Sequence, residues 1–129
     1  GASGGCQAEI GSASAMAAAG LVSLQGGSAN AMAHGAALAL KNMLGLACDP
    51  VCGLVEVPCV KRNVAGAVNA VTSAQMAMAG IDSAIPADEV IDAMRRIGNS
   101  MPESIKETAG GGLATTQTAM QIAQRFQND

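Results

Sequence analysis

Alanine dominates this chain: 27 of its 129 residues are Ala, against a single aromatic residue, Phe126, and no Trp or Tyr. A core without rings fills space only when its elements approach closely. Ala, Leu, Met and Gln favour helices, while the aromatic and β-branched residues that favour strands are scarce. Eight methionines supply flexible side chains for the remaining gaps. The expected fold is all-α, a compact bundle of five or six helices rich in Ala, Gly and Met packing. The length suits one domain, so residues 1–129 are expected to form a single helical domain. The start at Gly1, running into Gly1-Ala-Ser-Gly-Gly5 without Met, reads as the inside of a longer chain.

The formal net charge is −3, with seven basic and ten acidic residues. No basic stripe interleaved with aromatics offers a track for a phosphate backbone, so nucleic acid is not an expected partner. No apolar run approaches the roughly 20 residues needed to cross a bilayer, because Ser, Gly, Asn and Gln interrupt each one. A cytoplasmic protein with reduced thiols is expected, since a core-rich helical chain of this size needs no disulfide staples.

Helical spacing of Ile10, Ala13, Ala17, Leu21 and Leu24 predicts a first helix from Cys6 to Gln25, ended by Gly26-Gly27. Ser28 is a candidate cap for a second, with Met32, Ala36, Leu40, Met43 and Ala47 as its apolar stripe. Pro50 and Gly53 then forbid a continuous helix, and Leu54 to Val57 read as briefly extended. Pro58 opens a third helix whose expected buried stripe is Val60, Val64, Ala67, Val71, Ala74 and Met78. Pro86, with Asp88 and Glu89, opens a fourth, closed by Arg95-Arg96-Ile97-Gly98. Ser100-Met-Pro-Glu103 matches a capping box for a short fifth helix to about Glu107. Gly110-Gly111-Gly112 breaks the chain before a last helix marked by Ala119, Ile122, Ala123 and Phe126.

The chemistry concentrates in three segments: Gly4-Gly5-Cys6-Gln7-Ala8-Glu9, Cys48-Asp49-Pro50-Val51 and Val57-Pro58-Cys59-Val60-Lys61-Arg62-Asn63. Cys6 and Cys59 fall at helix starts, where the dipole favours a thiolate. A core cysteine needs neither Gly-Gly before it nor Asp-Pro after it. Three thiols leave one site of a four-iron cluster without a protein ligand, and an iron left open can act as a Lewis acid. Lys61 and Arg62 carry the wrong sign for a helix N-terminus, so an anion nearby is expected, either the cluster or a substrate carboxylate. Asn63 is a candidate hydrogen-bonding group, and Glu9 and Glu56 flank the cysteines. Glu107 and Thr108 precede glycines that allow close approach to a ligand. Cys52 reads as a spare buried thiol, and His34 lies mid-helix, away from the cysteine segments. Two other readings stay open at this point: an assembly module with merely buried cysteines, and a structural zinc site, which normally takes four ligands.

The segments Gly5 to Ala13, Leu44 to Val51, Gly53 to Asn63 and Lys106 to Ala114 together closely resemble the catalytic α chain of bacterial iron-sulfur L-serine dehydratases, from Gly1 to about Thr116. The likeness is to the form with separate α and β chains. The resemblance implies a 4Fe-4S cluster held by Cys6, Cys48 and Cys59, no pyridoxal phosphate, and deamination of L-serine to pyruvate and ammonia. It further implies a β chain or β domain as partner, an oligomeric enzyme, and a substrate pocket completed by segments not in this sequence, so that the fragment alone is inactive. Lys61, Arg62, Asn63, Glu107 and Thr108 are the pocket candidates. Fused members of the family carry a cysteine near their C-terminus that reaches the cluster, whereas this sequence ends Gln124-Arg-Phe-Gln-Asn-Asp129.

Overall fold

The computed structural model describes residues 2–128 and is all-α. Five α-helices follow in order: α1 (Ser12–Leu24), α2 (Ala29–Lys41), α3 (Cys59–Met78), α4 (Ala87–Ser100) and α5 (Gln117–Asn128). A π-helical turn, Gln7–Gly11, leads directly into α1. Among the described residues there is no strand, only an isolated bridge between Cys48 and Lys106.

Helices α1, α2 and α3 pack on one another as the central layer, and α4 closes over α2. Their contacts use the smallest side chains the sequence offers. Ala15, Ala18, Ala37, Ala39, Leu40, Ala70 and Val90 form the main core, and Val22, Ala74 and Ala77 a second cluster. Glycines bring the backbones closer still. A Cβ at Gly66 would stand 2.7 Å from Ile10 Cγ2, and one at Gly35 would stand 3.2 Å from Val22 Cγ2. A polar tie crosses this interface: Ser14 Oγ donates to Gly66 O (2.7 Å), and Asn69 Nδ2 donates to Ser14 Oγ (2.8 Å) and Ala39 O (2.9 Å). Buried polar atoms are costly unless paired, and among the described residues every buried side-chain nitrogen or oxygen has a partner.

Several expectations hold in detail. Ser28 is the N-cap of α2, its side chain accepting from Ala31 N at 3.1 Å. Gly26, at φ +77, ends the first helical run. Others are corrected. The buried stripe of α3 is Cys59, Gly66, Ala70, Ser73, Ala74 and Ala77, and of the six residues expected there only Ala74 is buried. Val60, Val64, Val68 and Val71 face outward, each more than half exposed. Close packing selects the small face over the large one, so residue volume decided the side that periodicity left open. The same holds in α1, where Ser14, Ala15, Ala18 and Val22 are buried and Leu24 is exposed.

The second helix stops at Lys41, and residues 42–45 turn, with Gly45 at φ +86. Leu54 is extended (φ −88, ψ 130), but Val55 to Val57 form turns, with no strand there. Pro58 is the N-cap of α3, one position before the place expected. Gly98 is buried inside α4, where a Cβ would press on Gln7 Nε2 and Gly4 O at 3.2 Å, so it is a contact glycine and not a cap. The capping box does not form: Ser100 is the last residue of α4, its Oγ bonded to Ile97 O (2.8 Å), and only one 3-10 turn, Glu103–Ile105, follows.

Candidate functional site

The three cysteines, 42 to 53 residues apart in sequence between Cys6 and the other two, come together on one cavity of about 270 Å³. Its walls also include Glu9, Ile10, Pro50, Val55, Asn63 and Glu107. Each thiol is buried, with 1% of Cys6, 2% of Cys48 and 7% of Cys59 exposed. Cys6 sits just before the π-helical turn and Cys59 is the first residue of α3, as the helix-end argument expected.

Backbone hydrogen bonds fix the three segments to one another. Gln7 N donates to Leu46 O (3.0 Å), joining the Cys6 segment to the loop of Cys48. Cys48 N donates to Ile105 O (2.8 Å) and Glu107 N to Cys48 O (3.1 Å), which clamps residues 105–107 to the same loop. The Gln7 side chain, fully buried, completes the joint: its Nε2 donates to Gly4 O and Met94 O (both 2.9 Å), and its Oε1 accepts from Gly45 N (3.0 Å).

Next to Cys6 lies a part-buried ion pair. Asp49 Oδ1 accepts from Arg62 Nη1 at 2.7 Å, and Asp49 Oδ2 accepts from Leu113 N at 2.7 Å. Arg62 Nη1 also donates to Ala47 O (2.9 Å) and lies 3.9 Å from Cys6 Sγ. Arg62 is thus paired with an anion of the protein itself, Asp49 of the Cys48 segment. The glycine run serves the same pair. A Cβ at Gly112, which has φ +59, would collide with the Asp49 carboxylate, and one at Gly111 would meet Ser104 O at 2.9 Å. Gly111 and Gly112 thus give close approach to groups of the protein.

The remaining candidates separate. Asn63 and Glu107 line the cavity, and Asn63 Nδ2 donates to Cys59 O at 3.1 Å. Lys61 is exposed and is not a wall of the cavity. Thr108 Oγ1 donates to Glu103 O (3.1 Å) and accepts from Gly110 N (3.4 Å), serving its own loop. Cys52 is half-buried at φ +58 and lines a separate small cavity with Glu56, Ile122 and Phe126. His34 bonds Asp82 through Nε2 (3.1 Å) and accepts from Ser83 N through Nδ1 (3.1 Å), so both ring nitrogens hold the loop before α4.

Burial, then the neighbouring Cys48 thiol, pushes the Cys6 thiol up to about 12 in spite of Arg62. Burial and Cys48 also raise Cys59. A bound metal ion would deprotonate a coordinating thiol outright. Among the described residues, no three His, Cys, Asp or Glu side chains converge tightly enough for a single metal ion. Three thiols on one cavity are soft donors of the kind that zinc and iron–sulfur groups take.

The conjunction of these segments decides the family. A family model described as serine dehydratase alpha chain matches residues 1–114. The chain belongs to this family. It is 60% identical over 98% of its length to a probable L-serine dehydratase alpha chain of Bacillus subtilis, covering 42% of that protein. It is 60% identical over 95% of its length to the corresponding protein of Latilactobacillus sakei, covering 58% of it. With the L-serine dehydratase alpha chain of Peptoniphilus asaccharolyticus the identity is 52% over 98% of this chain and 43% of the other. The chain spans about half the length of the curated relatives it matches.

In this serine dehydratase alpha-chain family member, two participants had no assigned role in the sequence reading: Asp49 and Gln7. Their only signal was position, each directly after a cluster-candidate cysteine. Asp49 also gives a pH prediction. Burial opposes its ionisation, but the Leu113 N–H and the Arg62 guanidinium prevail and hold the carboxyl below its ordinary 3.8. A depressed acid stabilises the fold above the unfolded value and loses that contribution as pH falls through the folded value. Stability followed by circular dichroism is expected to fall below pH 3.8, and less steeply in Asp49→Asn.

Proposed function

We propose that this chain is the cluster-holding part of an L-serine dehydratase, in which Cys6, Cys48 and Cys59 ligate a 4Fe-4S cluster. The observation that carries this reading is the gathering of three buried thiols, with no fourth thiol and no histidine, on the wall of one cavity. The relatives named L-serine dehydratase support the substrate. When bound, the cluster supplies Lewis acidity toward the serine hydroxyl through the iron that has no protein ligand.

The chain's own contribution is positioning. The Asp49–Arg62 pair and the backbone bonds at Cys48 hold the three thiols in register, while Ile10, Pro50 and Val55 wall the cavity with apolar surface. Asn63 and the carboxylates of Glu9 and Glu107 offer polar contacts to an amino acid. In the reaction, serine loses its α proton and its hydroxyl as water. The aminoacrylate tautomerises to an imine, and one water hydrolyses the imine to pyruvate and ammonia. No pyridoxal phosphate is needed in this scheme. In this reading the β chain or β domain of the enzyme completes the pocket in an oligomeric assembly. Four free thiols fit a reducing compartment such as the cytoplasm.

The outward valines of α3 favour a second reading, a helical assembly module. That reading has no use for three thiols on one cavity. Anaerobic reconstitution with iron and sulfide separates the two. The expected product is brown, with broad visible absorbance and about four irons per chain. A colourless product that folds equally well refutes the cluster.

A further inference from the structure

Glu107 is held in a backbone conformation that a glutamate adopts at a cost. Its φ is +62, in the left-handed region, and three glycines stand within five residues of it. Non-glycine residues kept in this region gather where a side chain is needed at a site. Here the neighbouring backbone fixes the conformation, because Glu107 N donates to Cys48 O at 3.1 Å and Cys48 N to Ile105 O at 2.8 Å. The outcome is that Glu107, although exposed to solvent, lines the cysteine cavity.

That carboxylate makes no ion pair among the described residues. Lys106 pairs with Glu103 at 2.9 Å, and Arg62 pairs with Asp49 at 2.7 Å. Among the described residues no Lys or Arg lines the cavity, and its polar lining is two glutamates, three cysteines and one asparagine. An amino acid bound there brings an ammonium group, and the acidic residues of the wall that could meet it are Glu107 and Glu9. Of the two, only Glu107 is held at positive φ, with its backbone bonded across to the Cys48 segment, whereas Glu9 lies in the Cys6 segment at helical geometry.

We infer that Glu107 anchors the substrate's α-ammonium and so sets the requirement for an amino acid over a plain hydroxy acid. This inference rests on the serine dehydratase reading of the cavity. It makes Glu107 a binding residue and not the base that removes the α proton.

The test uses the complete cluster-loaded enzyme. L-alanine and propanoate differ by the ammonium group and undergo no dehydration, so calorimetry can compare their dissociation constants directly. Glu107→Gln is expected to shrink the preference for L-alanine about tenfold, a loss of one charge-assisted contact. The KM for L-serine should rise by a similar factor while kcat falls by less, and the visible cluster spectrum should stay as it is. Glu107→Gly removes the same carboxylate and relieves the backbone, so it should lose the preference while raising Tm by roughly 2–4 °C. Unchanged preference in both variants overturns the inference. So does a collapse of kcat with KM and the L-alanine preference intact, which would make Glu107 the base. A fall of Tm in Glu107→Gly with the preference retained would assign the side chain to its own loop. A wild-type enzyme that takes up no cluster and binds neither ligand overturns the dehydratase reading, and this inference with it.

Discussion

Cys48→Ser in the complete enzyme is expected to abolish cluster uptake and to lower serine turnover by roughly a thousandfold or more. The size follows from the several kcal/mol that a metal Lewis acid supplies at the reacting oxygen, at about 1.4 kcal/mol per tenfold in rate. Serine replaces a soft sulfur donor with a hard hydroxyl of similar shape. The fold should survive. The backbone bonds from Cys48 to Ile105 and Glu107 do not use the side chain, and Cys48 packs mainly with Cys6, Ile10 and Leu46. Far-UV circular dichroism should match the wild type, while iron analysis and visible absorbance should show the loss. Cys52→Ser is the control, because Cys52 lies on a different cavity with Phe126. A brown, active Cys48→Ser enzyme would remove the central claim about the site.

Asp49→Ala is expected to destabilise the fold by about 3–5 kcal/mol, a large share of the roughly 5–15 kcal/mol that holds a domain folded. The Asp49 side chain is 6% exposed and that of Arg62 is 20% exposed, so the alanine variant strands a largely buried guanidinium. It also leaves Leu113 N without its acceptor and frees the loop of Gly112 from the loop of Cys48. Urea denaturation measures the loss. The double variant Asp49→Ala with Arg62→Ala should be less destabilised than the two single losses summed, because removing both partners strands no charge. A cost below about 1 kcal/mol for Asp49→Ala would mean that the pair behaves as a screened surface contact.

How far the sequence could be read depended on the range of each interaction. Ser28, Gly26 and Pro86 act within a turn of chain, and the ends they mark were legible. The valines of α3 were misassigned because a helix with two apolar stripes gives the same period for both. Only the neighbours choose the small stripe of Gly66, Ala70, Ser73, Ala74 and Ala77: α1 and α2 pack on α3, and Ile10 of the π-helical turn leaves no room for a Cβ at Gly66. The capping box failed for a similar reason, since α4 packs as far as Ser100 and uses that serine before it can start another helix.

The sequence by itself determined the helical class, through its alanines and its lack of rings, and it marked Cys6, Cys48 and Cys59 by the residues beside them. Local chemistry is written in local spacing. Tertiary structure alone decided that the three thiols share one cavity, that Arg62 turns inward to Asp49, and that Glu107 reaches the same wall while Lys61 and Thr108 do not. Those outcomes rest on contacts between residues 13 to about 100 positions apart, and such contacts exist only once α1, α2 and α3 have packed.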